Sequence, residues 1–571
     1  MNKLFKTSLA ALLALGLAAC GSSDAASTTE SPAPDNTAAA DGGADASDAA
    51  GSDTLTVALG GQFTTFDPAL NSETINSNVL SHIYSSLTAL DNEGKVIPDL
   101  AETWETSEDG LTWTFHLRDG ITYSDGTPIT ADDFVFGALR SLSYGVDNSW
   151  MIDDLCNYVV GANDYRNAAL EAGEGFDCTV EDASTVGYKA VDDKTIEISL
   201  IMPCAYLDRL LTGGTVYTPL PATTPQHTSL WAFETTDYVT TGAYTLVEVN
   251  ETEKAIVKKN PNYWNADSVL MENIEFLCMP DADAKMLAFQ KGEVDVASAI
   301  ALDAAAQYVG TDQLWMQPIS CNYYLAINSG ETGPEWAKDA RVRKALALAI
   351  DRTVVSQSIG LGSTDFYPPL NGLVPHGFST PDGTDFREKS DASGYALDYD
   401  PAAAKELLAE AGYDESNPLE ITLKYGNNGV HADVATVLMG MWSAIGVNVK
   451  PNQVESGVYY DQLDGGDFEI GRYGWSASSS PISFLEVWTS SKQVTAAVDD
   501  PAYDQMIADI RSIADANEYY AALEAAEKYL IDENVYAIPM MEWYDATIVQ
   551  DYISGHRMAG VDPYYGEVVK N

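Results

Sequence analysis

From Leu55 onward the chain alternates short strand-patterned runs with helix-patterned ones. That pattern continues for about 520 residues, more than a single hydrophobic core can serve, so several lobes are expected. Leu55–Leu59, Trp113–Leu117 and Thr195–Leu200 alternate apolar and polar residues as half-buried strands do. Val342–Ile350 and Pro401–Ala411 carry apolar residues at helical spacing, the second stopped by Gly412. Thr436–Ile445 ends on Gly446 and runs into Val447-Asn448-Val449, a helix-then-strand unit of the α/β kind. No internal periodicity is visible, which argues against solenoids and propellers.

The first residues have a separate purpose. Lys3 and Lys6 precede an apolar run from Leu9 to Leu17, followed by Ala18-Ala19-Cys20-Gly21. A positive start, an apolar middle too short to span a bilayer and small residues before a cut site form an export signal. Ending on Cys20, it resembles the lipobox of bacterial lipoproteins. That resemblance implies removal of residues 1–19 and a lipid on the Cys20 thiol. An ordinary signal peptide cut nearby, with Cys20 a bystander, is the alternative. Beyond Cys20, residues 20–52 are nearly all Ser, Ala, Thr, Asp, Gly and Pro, without an aromatic residue. Such a stretch cannot offset its ordering entropy by burial and is expected to be a disordered tether with a reach of roughly 30 Å. No later apolar run is long enough to cross a bilayer.

Eighty-five acidic residues against 30 basic ones give a net charge of −55. A surface this negative repels nucleic acid and anionic headgroups, so the chain is expected to bind no nucleic acid and to need a lipid for its hold on a membrane. Cys156, Cys178, Cys204, Cys278 and Cys321 remain after Cys20. An odd set without C-x-x-C spacing supports neither a zinc site nor a redox motif. A Cys156–Cys178 disulfide and buried free thiols both stay open. His82, His116, His227, His376, His431 and His556 are scattered without metal-ligand spacing. Gly474-Trp475-Ser476-Ala477-Ser478 lacks the second glycine of a nucleophile elbow. No enzyme activity, cofactor or metal is therefore expected. A surface hydrolase is the least favoured class.

Several motifs stand in a definite order. They are Thr65-Phe66-Asp67-Pro68; Ile83-Tyr84-Ser85-Ser86-Leu87; Pro98 to Trp104; Trp113 to Gly120; and Ser124-Asp125-Gly126-Thr127-Pro128-Ile129-Thr130-Ala131-Asp132-Asp133. Thr241-Gly242-Ala243-Tyr244, Lys259 to Trp264, Gly292-Glu293-Val294-Asp295, Asp339 to Leu346, Ala349 to Arg352 and Tyr399 to Tyr413 follow. Most are scaffold. Ser124–Thr127 is a tight turn, Thr130 with Asp133 is close to a capping box, and Asn260-Pro261-Asn262 is a turn delivering Tyr263 and Trp264. From about Leu55 to the C-terminus this series resembles the extracytoplasmic solute-binding proteins of ABC importers, in the oligopeptide/dipeptide/nickel family.

The resemblance implies an α/β, periplasmic-binding-protein-like clamshell of two lobes with an extra inserted domain and two crossover hinge strands. Lobe I would comprise 53–87, 206–320 and 536–571, the inserted domain 88–205, and lobe III 321–535. The crossings would lie near Ile319–Tyr323 and Val535–Pro539. The implied function is capture of short peptides outside the cytoplasmic membrane and delivery to an ABC permease, by a monomer tethered through Cys20. A nickel chelate or another small solute, or a sensing role, is the alternative. The matching ligand segments are Asn71, Ser72, Glu73 and Thr74, and Arg472, Tyr473, Gly474, Trp475, Ser476 and Ala477. Gly474 would admit a ligand backbone, Trp475 would wall a pocket, and Arg472 would meet a carboxylate or carbonyl. An edge strand packing on the core is the plainer reading of the Gly-Trp pair. Peptide-binding relatives commonly carry an aspartate just after that pair for the ligand's α-amino group. Here the stretch is Ser476 to Ser480, so Glu73 or an amine-free ligand is expected. Some relatives bridge the counterparts of Cys321 and Ser476, which the serine forbids here.

Overall fold

The computed structural model describes residues 53–144, 150–173, 176–213, 217–226, 238–395, 397–477, 480–491, 497–560 and 562–571. The export signal, Cys20, the tether and His227 lie outside the described residues. Ten strands form the main sheet, in the order Asn448–Val454, Glu420–Gly426, Ile470–Tyr473, Leu314–Ile327, Ala537–Val549, Val296–Ala297, Thr54–Leu59, Asn273–Cys278, Lys254–Lys259 and Tyr244–Asn250. The two long strands, Leu314–Ile327 and Ala537–Val549, lie antiparallel in the middle and belong to both halves. Their ladder breaks between Pro318, opposite Tyr544, and Asn322, opposite Glu542. A second shift lies between Tyr323, opposite Met541, and Tyr324, opposite Pro539, so the irregular stretch overlaps Ile319–Tyr323 on one strand and reaches Pro539 on the other. Ser320, inside the break, holds φ at +46°, a strained value for a residue with a side chain.

A separate antiparallel sheet of Ala101–Thr106, Thr112–Leu117, Thr195–Ser199 and Tyr188–Asp192 lies within 88–205. Local signals place these elements. Gly126 sits at φ +88° in the turn where Asp125 Oδ1 accepts from Thr127 N at 2.9 Å. The Asp133 carboxylate reaches back to Thr130 N at 2.8 Å. The Thr130 hydroxyl donates to Asp133 rather than capping the helix Ala131–Tyr144, so the capping box is only half made. Asp400 caps the helix Pro401–Glu410, and Gly412 at φ +92° ends it. The helix Gly429–Ala444 begins a full two turns ahead of the expected Thr436, because the Asn428 side chain caps it by accepting from Val430 N. Trp264 Nε1 donates to Asp99 at 2.8 Å and lies under Arg118, the packing role expected of its turn. Cys156 and Cys178 are not bridged. Among the described residues no helix is long and apolar enough to cross a membrane.

Two fully buried ion pairs lock loops onto this frame. Arg140 meets Asp67 at 2.6 and 2.8 Å. Arg387 meets Glu527 at 2.9 Å, and Glu527 also accepts from Leu373 N, Val374 N and the Tyr395 hydroxyl. Burial works against the Glu527 charge, but Arg387 and the hydrogen bonds outweigh it and hold the carboxyl below its ordinary 4.5. Its stabilising contribution is therefore complete above about pH 4.5 and is lost as pH falls through the lower folded value. Glu527→Gln leaves the guanidinium buried without its counter-charge, which costs about 3 kcal/mol or more. Urea unfolding at neutral pH should show that loss, and the variant should lack part of the wild type's acid-side decline.

Candidate ligand site

The first expected segment follows the buried Asp67. Asn71 Oδ1 accepts from Glu73 N at 3.0 Å and Asn76 Nδ2 at 3.2 Å, while Asn71 Nδ2 donates to Ser77 Oγ at 2.8 Å. Both ends of the Asn71 amide are thus spent on the turn, and the side chain is buried. The Asn71 side chain thus shapes the segment. Ser72, Glu73 and Thr74 are exposed. Glu73 is the N-cap of the helix Thr74–Ile83, yet its side chain makes no capping bond. Its carboxylate therefore stands at the positive end of the helix, where a negative charge is favoured, and projects outward.

The second segment is interior, not an edge. Ile470–Tyr473 runs between Glu420–Gly426 and the crossing strand, with Tyr324 opposite Tyr473 and Leu325 opposite Arg472. Past Tyr473 the chain still follows that strand. Asn322 N donates to Trp475 O at 3.0 Å, Trp475 N donates to Asn322 Oδ1 at 2.8 Å, and Ala477 N donates to Ser320 O at 3.2 Å. Cys321 and Ser476 face each other across this pairing. A Cβ on Gly474 would lie 2.7 Å from Asn322 O. The glycine thus makes room for the crossing strand, a packing reason that stands beside the expected one, approach of a ligand backbone. Trp475 is half-buried, Ser476 exposed, and the Trp475 indole N–H has no partner.

Arg472 is the unusual member. It is 5% exposed, its Nη1 donates to the Tyr460 hydroxyl at 3.0 Å, and its guanidinium lies 4.7 Å from the Tyr323 ring centre. Its Nε has no partner, and among the described residues no carboxylate pairs with it. Beside it His431 is buried, with Nδ1 also unpartnered. Burial first, and then the Arg472 charge, push His431 down to about 3, so it is neutral. Tyr323, Tyr460 and Tyr473 line the same region with stacked and edge-on rings. A cation with a spare donor, a neutral imidazole and aromatic walls can receive an anion, above all a planar carboxylate.

No hydrogen bond joins 71–74 to 472–477; each segment is held within its own half. His431, Tyr323, Tyr460 and Asn322 were not anticipated. They come from three different elements, Asn322 and Tyr323 sharing the crossing strand, and no local pattern marks them as neighbours of Arg472. Among the described residues no group of His, Cys, Asp and Glu is gathered as for a metal ion.

Two α/β halves sharing a central strand pair, with an orphaned cation beside the break, make a two-lobed solute-binding architecture. The sequence profile of bacterial extracellular solute-binding proteins, family 5, matches residues 95–496, and the chain belongs to that family. It is 28% identical to the periplasmic oligopeptide-binding protein OppA of Escherichia coli strain K12, over 90% of this chain and 91% of the relative. Its fold matches the unliganded open form of the periplasmic murein tripeptide-binding protein MppA with a TM-score of 0.78 at 25% identity, covering 91% and 98% of the two chains. Haemophilus influenzae OppA in complex with RPPGFSPFR, also 25% identical, matches with a TM-score of 0.57 over 91% and 99%. The family is one of binding proteins rather than enzymes.

Removing the neighbouring charge tests the electrostatics of the site. In Arg472→Met the His431 value should rise from about 3 while burial keeps it below 6.5, as read by imidazole proton shifts across an acid titration.

Proposed function

We propose that the chain is a lipid-anchored, extracytoplasmic, monomeric receptor that captures short peptides and hands them to an ABC permease. Lobe I would be 53–87, 206–320 and 536–571, the inserted domain 88–205 and lobe III 321–535. Residues 1–19 would be removed, Cys20 lipidated, and 20–52 would serve as the leash. The peptide would lie between the lobes. The exposed Ser72–Thr74 turn would offer its groups from one side, and Arg472, Trp475 and Ser476 would offer theirs from the other.

One observation carries this reading: the buried Arg472 with no carboxylate of its own. A buried guanidinium without a counter-charge is costly, and an arriving carboxylate would repay that cost while forming charge-assisted hydrogen bonds. A peptide C-terminus supplies one whatever its sequence, which fits a receptor reading the main chain instead of side chains. The relatives named for oligopeptides support the same ligand class. The greater likeness to an unliganded open form supports an open cleft that closes on its guest. At the other end of the ligand Glu73 is the available acid for an α-amino group.

Calorimetry tests both ends. A mixture of tripeptides with free termini should bind, and amidating the C-terminus should weaken binding about tenfold or more, a loss of about 1.4 kcal/mol per decade. In Arg472→Met the two forms should bind equally, and the variant should unfold no earlier than the wild type, because an unpaired buried charge has gone. Equal affinity of free and amidated peptides for the wild type would remove Arg472 from this role. Glu73→Gln should weaken free-amine peptides several-fold and spare acetylated ones. Equal losses would exclude Glu73.

A further inference from the structure

A single loop, Pro368 to Phe378, touches three places that must move together when a clamshell closes. At its start Pro368 O accepts from Glu542 N at 3.0 Å, and Leu370 N donates to Met540 O at 3.2 Å, so the loop lies along the second crossing strand. In its middle Leu373 O accepts from Asn322 Nδ2 at 2.5 Å, the same side chain whose Oδ1 holds Trp475 N. At its end Gly377 O accepts from Arg209 Nη2 at 2.7 Å, and Arg209 Nη1 donates to Gly94 O at 2.8 Å. A Cβ on Gly94 would lie 2.5 Å from Gly377 O, and Ser379 Oγ donates to Glu93 O at 2.7 Å. The loop thus joins the hinge, the ligand segment and the inserted segment.

Glu527 and Arg387 anchor the loop's middle at Leu373 and Val374, and His376 is its titratable fastening to the crossing strand. Its ring Nδ1 lies 2.5 Å from Glu542 Oε1, and its backbone N donates to Glu542 Oε2 at 3.2 Å. Glu542 is opposite Asn322 at the break in the crossing ladder, and its side chain is 2% exposed, whereas the His376 ring is 36% exposed and open to exchange with solvent. We propose that the His376–Glu542 pair is a proton-operated clasp: with His376 charged, the loop holds crossing strand and inserted segment in the open arrangement, and loss of the proton frees the lobes to close. The closing motion itself rests on the capture reading above.

The surrounding charges favour the proton. Burial lowers the basicity of His376, but the hydrogen bond and charge of Glu542, with Asp385 behind it, outweigh that and the opposing Arg387, so His376 is raised above its ordinary 6.5. Asp385 accepts from Gly377 N at 2.7 Å, and Arg209, just beyond the inserted segment, faces the loop from across Gly94. A raised value means the clasp is complete below about pH 6.5 and loosens as pH rises through the higher folded value.

The test uses the full chain with a fluorescent donor and acceptor on the two lobes, first without ligand. The inter-lobe distance should shorten or broaden on going from about pH 6 to about pH 8 in the wild type. His376→Gln should be flat across that range and match the wild type at the higher pH. With the tripeptide mixture, wild-type affinity should be about three- to tenfold weaker at the lower pH, and His376→Gln should lose that dependence. Glu542→Gln, checked for folding by its melting curve, should behave as His376→Gln does. A ligand-free distance indifferent to pH in the wild type, or a pH profile retained in His376→Gln, would overturn the clasp. Failure of any peptide to close the lobes at any pH would instead overturn the capture reading, and the ligand-free profile would still decide the clasp.

Discussion

The antiparallel ladder between Leu314–Ile327 and Ala537–Val549 is the constraint on which the rest depends. All other strands of the main sheet are laid outward from this pair, three on one side and five on the other. A ladder resists stretching but tolerates twist where its bonds are interrupted, and this one is interrupted at Ile319–Cys321 opposite Trp543. The strained φ of Ser320 lies within the interruption, where regular pairing no longer dictates the backbone.

The residues around that interruption share one polar network. Asn322 spends its backbone and side chain on Trp475 and Leu373, Glu542 across from it spends both oxygens on His376, and Gly474 is a glycine because Asn322 O occupies the space of a Cβ. The Trp475–Ala477 stretch is therefore registered against the crossing strand by main-chain bonds. A displacement of the strand must carry Trp475 and Arg472 with it. On the proposed peptide-capture reading, ligand contact and lobe angle are then one variable.

How much of this was legible in the sequence follows the range of each interaction. The Ser124–Thr127 turn, the Asp400 and Gly412 ends of a helix, and the Asn260–Asn262 turn all depend on contiguous residues and could be read directly. The order of the main sheet could not, because Thr54–Leu59 pairs with Asn273–Cys278, more than 200 residues away (|i−j| of 219 for Thr54 and Asn273). The site divides the same way. The Arg472–Ala477 run was visible as a motif, but its interior position, the close approach of Asn322 O to Gly474, and the neighbours Tyr323, His431 and Tyr460 come from tertiary pairing. The Asn71 side chain forms an Asx turn, a role it could have suggested from Glu73 two residues on.

The uneven charge of the chain gives Arg472 its meaning. With 85 acids and 30 bases, most acidic side chains must face solvent, and several of the few cations are drawn inside. There they act as staples. Arg343 holds Asn534 O and Ala337 O, Arg352 holds Pro539 O and Leu397 O, Arg166 holds Leu142 O, and Arg209 holds Gly94 O and Gly377 O. Arg140 and Arg387 have buried carboxylates. Each of these guanidiniums is repaid for its lost hydration by carbonyl or carboxylate oxygens. Arg472 alone among these buried arginines donates only to a phenol and leans on an aromatic ring. Structural economy does not explain a charge left in that condition, since a methionine would fill the space at lower cost. On the proposed reading a carboxylate that arrives and leaves explains it, because a permanent partner would close the site to any visitor.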